Sequence, residues 1–128
     1  MQDRPNAAEL AHAVREFIET EVLPQIDDPR LRFRALVAVN GLGILEREVA
    51  LGAPLVRREV GSLARLLGHA DALPDDLEEL RRQAADLNRE LAQRIRAGDT
   101  PEGTLAHLLA TVADKLRIAS PRYLERYR

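Results

Sequence analysis

The segment ALVAVNGLGIL, residues 35–45, decides the fold class because Asn40 is its one strongly polar side chain. A helix that is apolar on nearly all sides has to be covered by neighbours on most of them. We therefore predict that this segment lies in a central helix over residues 28–51. Asp28 and Pro29 form a cap-and-proline start, and Gly52 is the predicted stop.

Helix signals recur on both sides of this segment, and strand signals do not. A first helix follows the N-cap residue Asn6 and ends at Pro24, and a third is predicted over residues 54–67. A fourth is predicted over residues 75–97 and a fifth over residues 100–119. The fourth carries a narrow apolar seam at Leu77, Leu80, Ala84, Leu87, Leu91 and Ile95.

Short turns marked by proline or glycine separate these helices, which is typical of a helical bundle. The predicted fold is therefore all-α: a five-helix up-and-down bundle with a buried central second helix. Residues 1–128 form a single helical domain, in which residues 121–128 are a C-terminal tail.

Composition excludes several classes of protein. The 128 residues include no cysteine, so disulfides and thiolate metal sites are impossible, and a net charge of −2 disfavours nucleic acid as a partner. The apolar run at residues 35–45 is well short of the roughly 20 residues that span a bilayer. No apolar leader follows Met1. We expect a cytoplasmic protein without membrane contact.

Residues with catalytic or metal-binding chemistry do not form a complete constellation. Glu9 and His12 have the Glu-x-x-His spacing of di-iron bundles, but the second pair is missing, because Leu66 and Thr104 stand three residues before His69 and His107. Gly41 and Gly43 lie within a helix pattern and lack the lysine of a phosphate-binding loop. We predict no metal, no cofactor and no catalytic residue, and an enzyme is the less favoured interpretation.

A weaker signal indicates a ligand site. The candidate ligand-binding residues are Arg34, Asn40, Arg47 and Lys115, polar side chains on otherwise apolar helices. A buried Asn40 amide would need hydrogen-bond partners, either across the core or in a polar pocket. Lys115, the sole lysine, lies at the edge of an apolar helix face, where its stem can pack while its amine stays in water.

Several motifs together resemble a family of small bacterial helical domains of unknown function. They include QDRP at residues 2–5 and DKLRIASPRYL at residues 114–124, with shorter matches at 9–10, 34, 37–40, 46–48, 87–88 and 96–98. Members of this family are often encoded near aminoglycoside-phosphotransferase-like kinases and acyl-CoA dehydrogenases. The resemblance implies a kinase-like protein partner, and it implies no catalytic residue.

Two functional hypotheses follow. The first is a non-catalytic helical accessory or interaction protein that forms a homodimer, because five helices barely cover a central helix that is apolar all round. In a competing arrangement, the tail with Tyr123, Leu124 and Tyr127 folds back over the apolar surface. The second hypothesis is a small-ligand-binding module, or an unusual enzyme, with a polar pocket around Asn40 and Lys115.

Overall fold

The structure, a computed structural model, describes residues 3–126, and helices are the only regular secondary structure in that range, with no strand. The all-α class with five α-helices is confirmed. The helices are α1 (Ala7–Phe17), α2 (Pro29–Leu67), α3 (Leu77–Arg96), α4 (Thr104–Ala119) and α5 (Pro121–Arg126). A π-helical turn at Ile18–Val22 and a 3-10 turn at Leu23–Gln25 connect α1 to α2.

The predicted second and third helices are one continuous helix of 39 residues, so the prediction of a stop at Gly52 is wrong. Gly52 keeps a negative φ, and the Glu48 carboxylate lies where its side chain would be, 2.8 Å from an ideal Cβ. Pro54 interrupts the backbone hydrogen bonds but is exposed. Contacts from Glu48 to α3, and from Glu59 to both α3 and α4, hold the turns on either side of it.

The true helix ends do follow the sequence signals. Asn6 and Glu9 form a capping box at the start of α1, and the Asp28 carboxylate accepts a hydrogen bond from the backbone N–H of Arg30 at the start of α2. Gly68 and Gly98 adopt left-handed conformations behind α2 and α3, with φ values of 75° and 80°. The fifth helix of the count is the short α5, which the sequence analysis assigned to the tail.

The long helix α2 is the spine of the molecule, with a length of about 58 Å at the usual rise per residue. Within residues 3–126, α1, α3 and α4 each pack on α2, and no two of these three pack on one another. The bundle is therefore open, with α1 on the N-terminal half of α2 and α3 and α4 on its C-terminal half.

The up-and-down order holds for α1 and α4, which run antiparallel to α2, but α3 runs parallel to it. Arg81 of α3 contacts Glu48, Asn88 contacts Glu59, and Glu90 contacts His69 just beyond the end of α2. The connection over residues 68–76 makes this direction possible because it runs back along α2, where Arg57 donates to the Pro74 carbonyl at 2.9 Å.

The apolar core lies between α2 and α3. Val60 and Leu63 are fully buried against the predicted α3 seam, whose buried members are Leu80, Ala84, Leu87 and Leu91. The seam is thus confirmed as the core-facing side of α3, although Ile95 at its end is exposed. This small core stabilises only the C-terminal half of the spine.

The N-terminal half of the spine departs from the prediction of a buried central helix. Leu36, Val37 and Leu45 have exposed fractions of 47%, 55% and 50%. The physical reason is that α1 spans 11 residues and covers one stripe of α2, centred on the buried Gly43. Within residues 3–126, only the turns over residues 18–25 and the C-terminal end of α4 also reach this half, and they leave its other sides exposed.

Candidate functional site

A continuous apolar surface lies along α1 and the N-terminal half of α2. Leu31, Leu45 and Val49 lie on one side of α2, joined by Ala35, Ala38 and Leu42 at helical spacing between them, and the same stripe continues into the residues that α3 covers. Leu10, Val14 and Phe17 form a stripe on the neighbouring flank of α1, with exposed fractions near one half. The exposed residues Leu31, Leu45, Val49, Leu10, Val14 and Phe17 are called the α1/α2 face below.

Helix α4 presents a second apolar surface, which points away from the core. Leu105, Leu109 and Val112 have exposed fractions of 71%, 64% and 54%, and Leu108 of 39%. These four residues are called the α4 face. The opposite side of α4, which packs on α2, carries polar residues. The amphipathic helix is therefore turned with its apolar side outward.

An ion-pair cluster explains this orientation of α4. Asp114 is buried, and its carboxylate accepts a 2.8 Å hydrogen bond from Nε of Arg58 on α2. A second hydrogen bond of 2.8 Å comes from Arg117, one turn further along α4. The bidentate pairing raises the pKa of Arg58 through its hydrogen bond to Asp114 and the charge of Asp114. It ties the polar side of α4 to the spine.

Ser62 and His107 form a second polar contact between α2 and α4, and no pattern in the sequence predicted this pair. The Ser62 hydroxyl lies 2.7 Å from Nδ1 of His107, while Nε2 is buried without a hydrogen-bond partner among the described residues. The pKa of His107 is lowered overall. Burial is the main cause, the charge of Lys115 adds to it, and the charge of Glu59 partly opposes it. No carboxylate hydrogen-bonds to the ring in residues 3–126, so the pair lacks the third member of a catalytic triad.

The total surface of the chain is large for its mass. A folded monomer of 14.3 kDa exposes about 6,800 Å² on average, whereas this chain exposes 9377 Å². The difference is about 2,600 Å². The open arrangement of the helices and the two outward apolar faces account for this excess.

An open polar cleft of about 360 Å³ lies between α1, α2 and the junction of α4 with α5. Two of the predicted ligand-binding residues, Asn40 and Arg47, line it together with Arg15, Arg122 and other residues, Glu19 and Ser120 among them. Gly43 forms part of its floor. An ideal Cβ at Gly43 would lie 3.3 Å from a terminal nitrogen of Arg47, so the missing side chain gives the guanidinium its place.

Asn40 is exposed on the cleft, so the alternative of a buried amide with a partner across the core is wrong. Arg47 is half-buried, and its Nε donates a 2.6 Å hydrogen bond to the Ile118 carbonyl near the end of α4. Gly41, unlike Gly43, has open space around it and contributes no close packing.

The other two predicted ligand-binding residues lie elsewhere. Arg34 is exposed and lies nine residues from Gly43, about half a turn around α2 and away from the cleft. Lys115 lines a separate cleft of about 200 Å³ between α2 and α4, with its amine 3.6 Å from a carboxylate oxygen of Glu59. Its side chain is mostly exposed. The four residues therefore do not form one site.

Glu9 and His12 do not form a joint site, because the two side chains contact different partners. Glu9 serves the N-cap and pairs with Arg4, which lowers its pKa chiefly through the Arg4 hydrogen bond. His12 instead lies 3.1 Å from a carboxylate oxygen of Glu46 on α2. Within the described part of the chain, no three metal-ligating side chains come together.

The C-terminal tail is partly placed by the structure. Tyr123 and Leu124 of α5 lie beside the C-terminal end of α4, where they border a groove with Leu109 and Val112. The tail therefore reaches only one end of the α4 face and leaves Leu105 uncovered. Tyr127, which the sequence analysis also named, lies outside the described residues.

The fold is an all-α domain in which α1, α3 and α4 pack on the one long helix α2. The chain matches the family described as "Domain of unknown function (DUF6285)" over residues 24–123, and it belongs to that family. No curated protein matches the chain, and no solved structure does. Across residues 3–126, no helix has both the length and the apolar character needed to cross a membrane.

Proposed function

We propose that this protein is a non-catalytic helical interaction protein of the cytoplasm that acts as a homodimer joined through the α1/α2 face. The observation that carries the proposal is the continuity of one apolar stripe on α2. Its C-terminal half is the core beneath α3, and its N-terminal half, with Leu31, Leu45 and Val49, is exposed. A stripe of core character that ends in solvent indicates a missing neighbour.

The exposed area supports a second copy of the chain as that neighbour. Obligate homodimers bury about 1,000–2,500 Å² on each chain. The surface excess of about 2,600 Å² is large enough to supply such an interface. A two-fold axis across the α1/α2 face would bring α1 and α2 of each copy into a four-helix arrangement. Such an arrangement is closed and covers the same stripe on both chains at once.

The α4 face supports a second interaction, with a different protein. It lies on another side of the spine, so a dimer across the α1/α2 face leaves it exposed. We assign it to the kinase-like protein that the family resemblance implies. Its four apolar residues would supply the buried centre of that contact, and Glu102 and Arg117 lie at its two ends.

The experiment that tests the dimer compares matched charge substitutions on the two faces. Val14→Glu adds a carboxylate to the α1/α2 face, and Leu109→Glu adds one to the α4 face; both positions are about half exposed or more in the single chain. Light scattering is expected to give a dimer mass for wild type and Leu109→Glu, and a monomer mass for Val14→Glu. Circular dichroism checks that both variants remain helical.

Two results contradict the proposal. A Val14→Glu variant that keeps the dimer mass places the interface elsewhere, and a monomeric Leu109→Glu variant moves it to the α4 face. Co-purification of the untagged kinase-like protein with wild type, and its loss with Leu109→Glu, is the corresponding expectation for the second surface. Loss with Val14→Glu alone would contradict that assignment.

The ligand-binding hypothesis keeps one specific observation in its favour, the polar cleft around Asn40 and Arg47. Lys115 is no part of it. This cleft lies within one chain, so it is compatible with a protein whose main role is assembly.

A further inference from the structure

The polar cleft between α1, α2 and the α4–α5 junction has an excess of hydrogen-bond donors. Asn40, Arg47, Ser120 and Arg122 all line it. Glu19 is the carboxylate on its wall, and it accepts a 3.3 Å hydrogen bond from Arg15. The donors that remain after internal pairing therefore belong mainly to two arginines, one amide and one hydroxyl.

Three arginines line the cleft, namely Arg15, Arg47 and Arg122, and they differ in whether a carboxylate neutralises them. Arg15 is engaged on two sides, with Nε 3.1 Å from Glu46 and a terminal nitrogen bonded to Glu19. Partial burial raises the pKa of Glu46, but the hydrogen bonds and charges of Arg15 and His12 outweigh this and lower it, so Glu46 stays ionised. Arg15 is thus neutralised by its own neighbours.

Arg47 and Arg122 are different. The one hydrogen bond of Arg47 among residues 3–126 runs from Nε to the Ile118 carbonyl. It orients the guanidinium and leaves both terminal amino groups without a hydrogen-bond partner in that range. Arg122 forms no ion pair within the same residues. Two positive charges without carboxylate partners therefore meet at one cleft in a chain whose net charge is −2.

We propose that this cleft binds a phosphate dianion, either free or as the monoester group of a small molecule. Two unpaired guanidinium groups match the two negative charges, and their terminal amino groups donate the paired hydrogen bonds that phosphate oxygens accept. Asn40 and Ser120 supply neutral donors at the edges. A volume of about 360 Å³ accommodates the phosphate and a small attached group.

The residues that line the cleft come from three parts of the chain: α1, α2 and the α4–α5 junction. Arg47 and Asn40 come from α2, Ser120 and Arg122 from the α4–α5 junction, and Arg15 from α1. Bound phosphate would bridge the α2 side and the α5 side through Arg47 and Arg122. A ligand that binds only the folded chain stabilises it, so binding is expected to raise the melting temperature.

The test is an NMR titration of the full-length protein with inorganic phosphate at constant ionic strength, near pH 7.5, where most phosphate is dianionic. Sulfate is the second dianion, and acetate is the monoanion for comparison. We expect saturable shifts of the backbone signals of residues 40–47 and 119–122 at millimolar phosphate, similar shifts with sulfate and weaker binding of acetate.

Arg122→Ala is the main variant because Arg122 is exposed and its loss removes no contact that the fold needs. We expect it to weaken phosphate binding at least about threefold. Arg34→Ala is the matched control, since it removes the same charge from the far side of α2. It is expected to leave the affinity unchanged. Asn40→Ala tests the neutral donor without a change in net charge.

The proposal is overturned if phosphate shifts no signal in these two segments, or if Arg34→Ala weakens binding as much as Arg122→Ala does. The second result would show a general response to charge. Acetate binding as tight as phosphate would also overturn it, because the assignment rests on two charges. None of these outcomes depends on the oligomeric state, so they are independent of the dimer proposal.

Discussion

Replacing Leu45 by alanine separates an exposed residue of a monomer from a buried residue of a dimer. In the single chain Leu45 is 50% exposed. Full burial of a leucine side chain stabilises by about 1.5–3 kcal/mol, so truncating a half-exposed one costs only about 1 kcal/mol. If a second copy covers the α1/α2 face, Leu45 becomes a core residue, and its truncation costs about 2–5 kcal/mol for each chain.

The assay is urea unfolding of wild type and variants at several protein concentrations. Leu63→Ala is the positive control, because Leu63 is fully buried beneath α3 and its cost is that of a core leucine in either case. Leu105→Ala is the negative control, because Leu105 is 71% exposed on the α4 face. We expect Leu63→Ala and Leu45→Ala to lower the free energy of unfolding by similar amounts, and Leu105→Ala to lower it much less.

The wild-type midpoint is also expected to rise with protein concentration, as mass action requires for a folded dimer that unfolds to monomers. The reasoning is refuted if Leu45→Ala costs about 1 kcal/mol or less and the midpoint does not move with concentration. In that case the exposed stripe on α2 is simply a tolerated surface.

Three further predictions concern the polar interior and the spine. Asp114→Asn is expected to cost about 1–3 kcal/mol in chemical unfolding, since it leaves two arginines without their carboxylate, whereas the exposed-pair control Asp86→Asn should cost about 0.5 kcal/mol or less. Burial lowers the pKa of His107 below its ordinary 6.5, so the unfolded chain binds more protons below about that pH. The free energy of unfolding should therefore decrease as the pH falls from 6.5 through the folded-state pKa, and His107→Gln should flatten that part of the profile. Pro54→Ala is expected to raise stability by about 1 kcal/mol or more by restoring a backbone hydrogen bond within α2, and a thermal melt below that of wild type would contradict it.

The sequence predicts well wherever a short-range signal determines the structure. The capping residues Asn6 and Asp28, the left-handed glycines Gly68 and Gly98, and the α3 seam all act within one or two turns of helix. Gly52 and Pro54 carry equally strong local signals, but side-chain contacts on both sides of them outweigh the backbone cost. Which of these wins depends on tertiary contacts that a local pattern does not contain.

Burial of the apolar stretches was harder to predict for a different reason. The apolar side chains of residues 35–45 indicate that exposure to water is unfavourable there. They do not indicate whether the residues that bury them belong to the same chain or to another. The outward orientation of the apolar side of α4 could not be predicted from the sequence either, because it depends on the pairing of Asp114 with Arg58 on α2. A buried aspartate opposite an arginine 56 residues earlier has no sequence signature.

Half of the candidate site could be read from the sequence. Asn40 and Arg47 are seven residues apart, so they share one face of a helix and line one cleft. Arg15 and Arg122 were missed because they reach the cleft from α1 and from the α4–α5 junction, far apart in the chain. Arg34 and Lys115 were included because they are polar residues on apolar helices, and the structure places them on other sides.

The measurement that tests the central claim most directly is the molar mass of the wild-type chain by sedimentation equilibrium over the micromolar range. A homodimer through the α1/α2 face predicts twice the chain mass of 14.3 kDa, with dissociation only on dilution. A single species at the chain mass across the whole range would contradict the claim, since the α1/α2 face would then be exposed to water in the native protein.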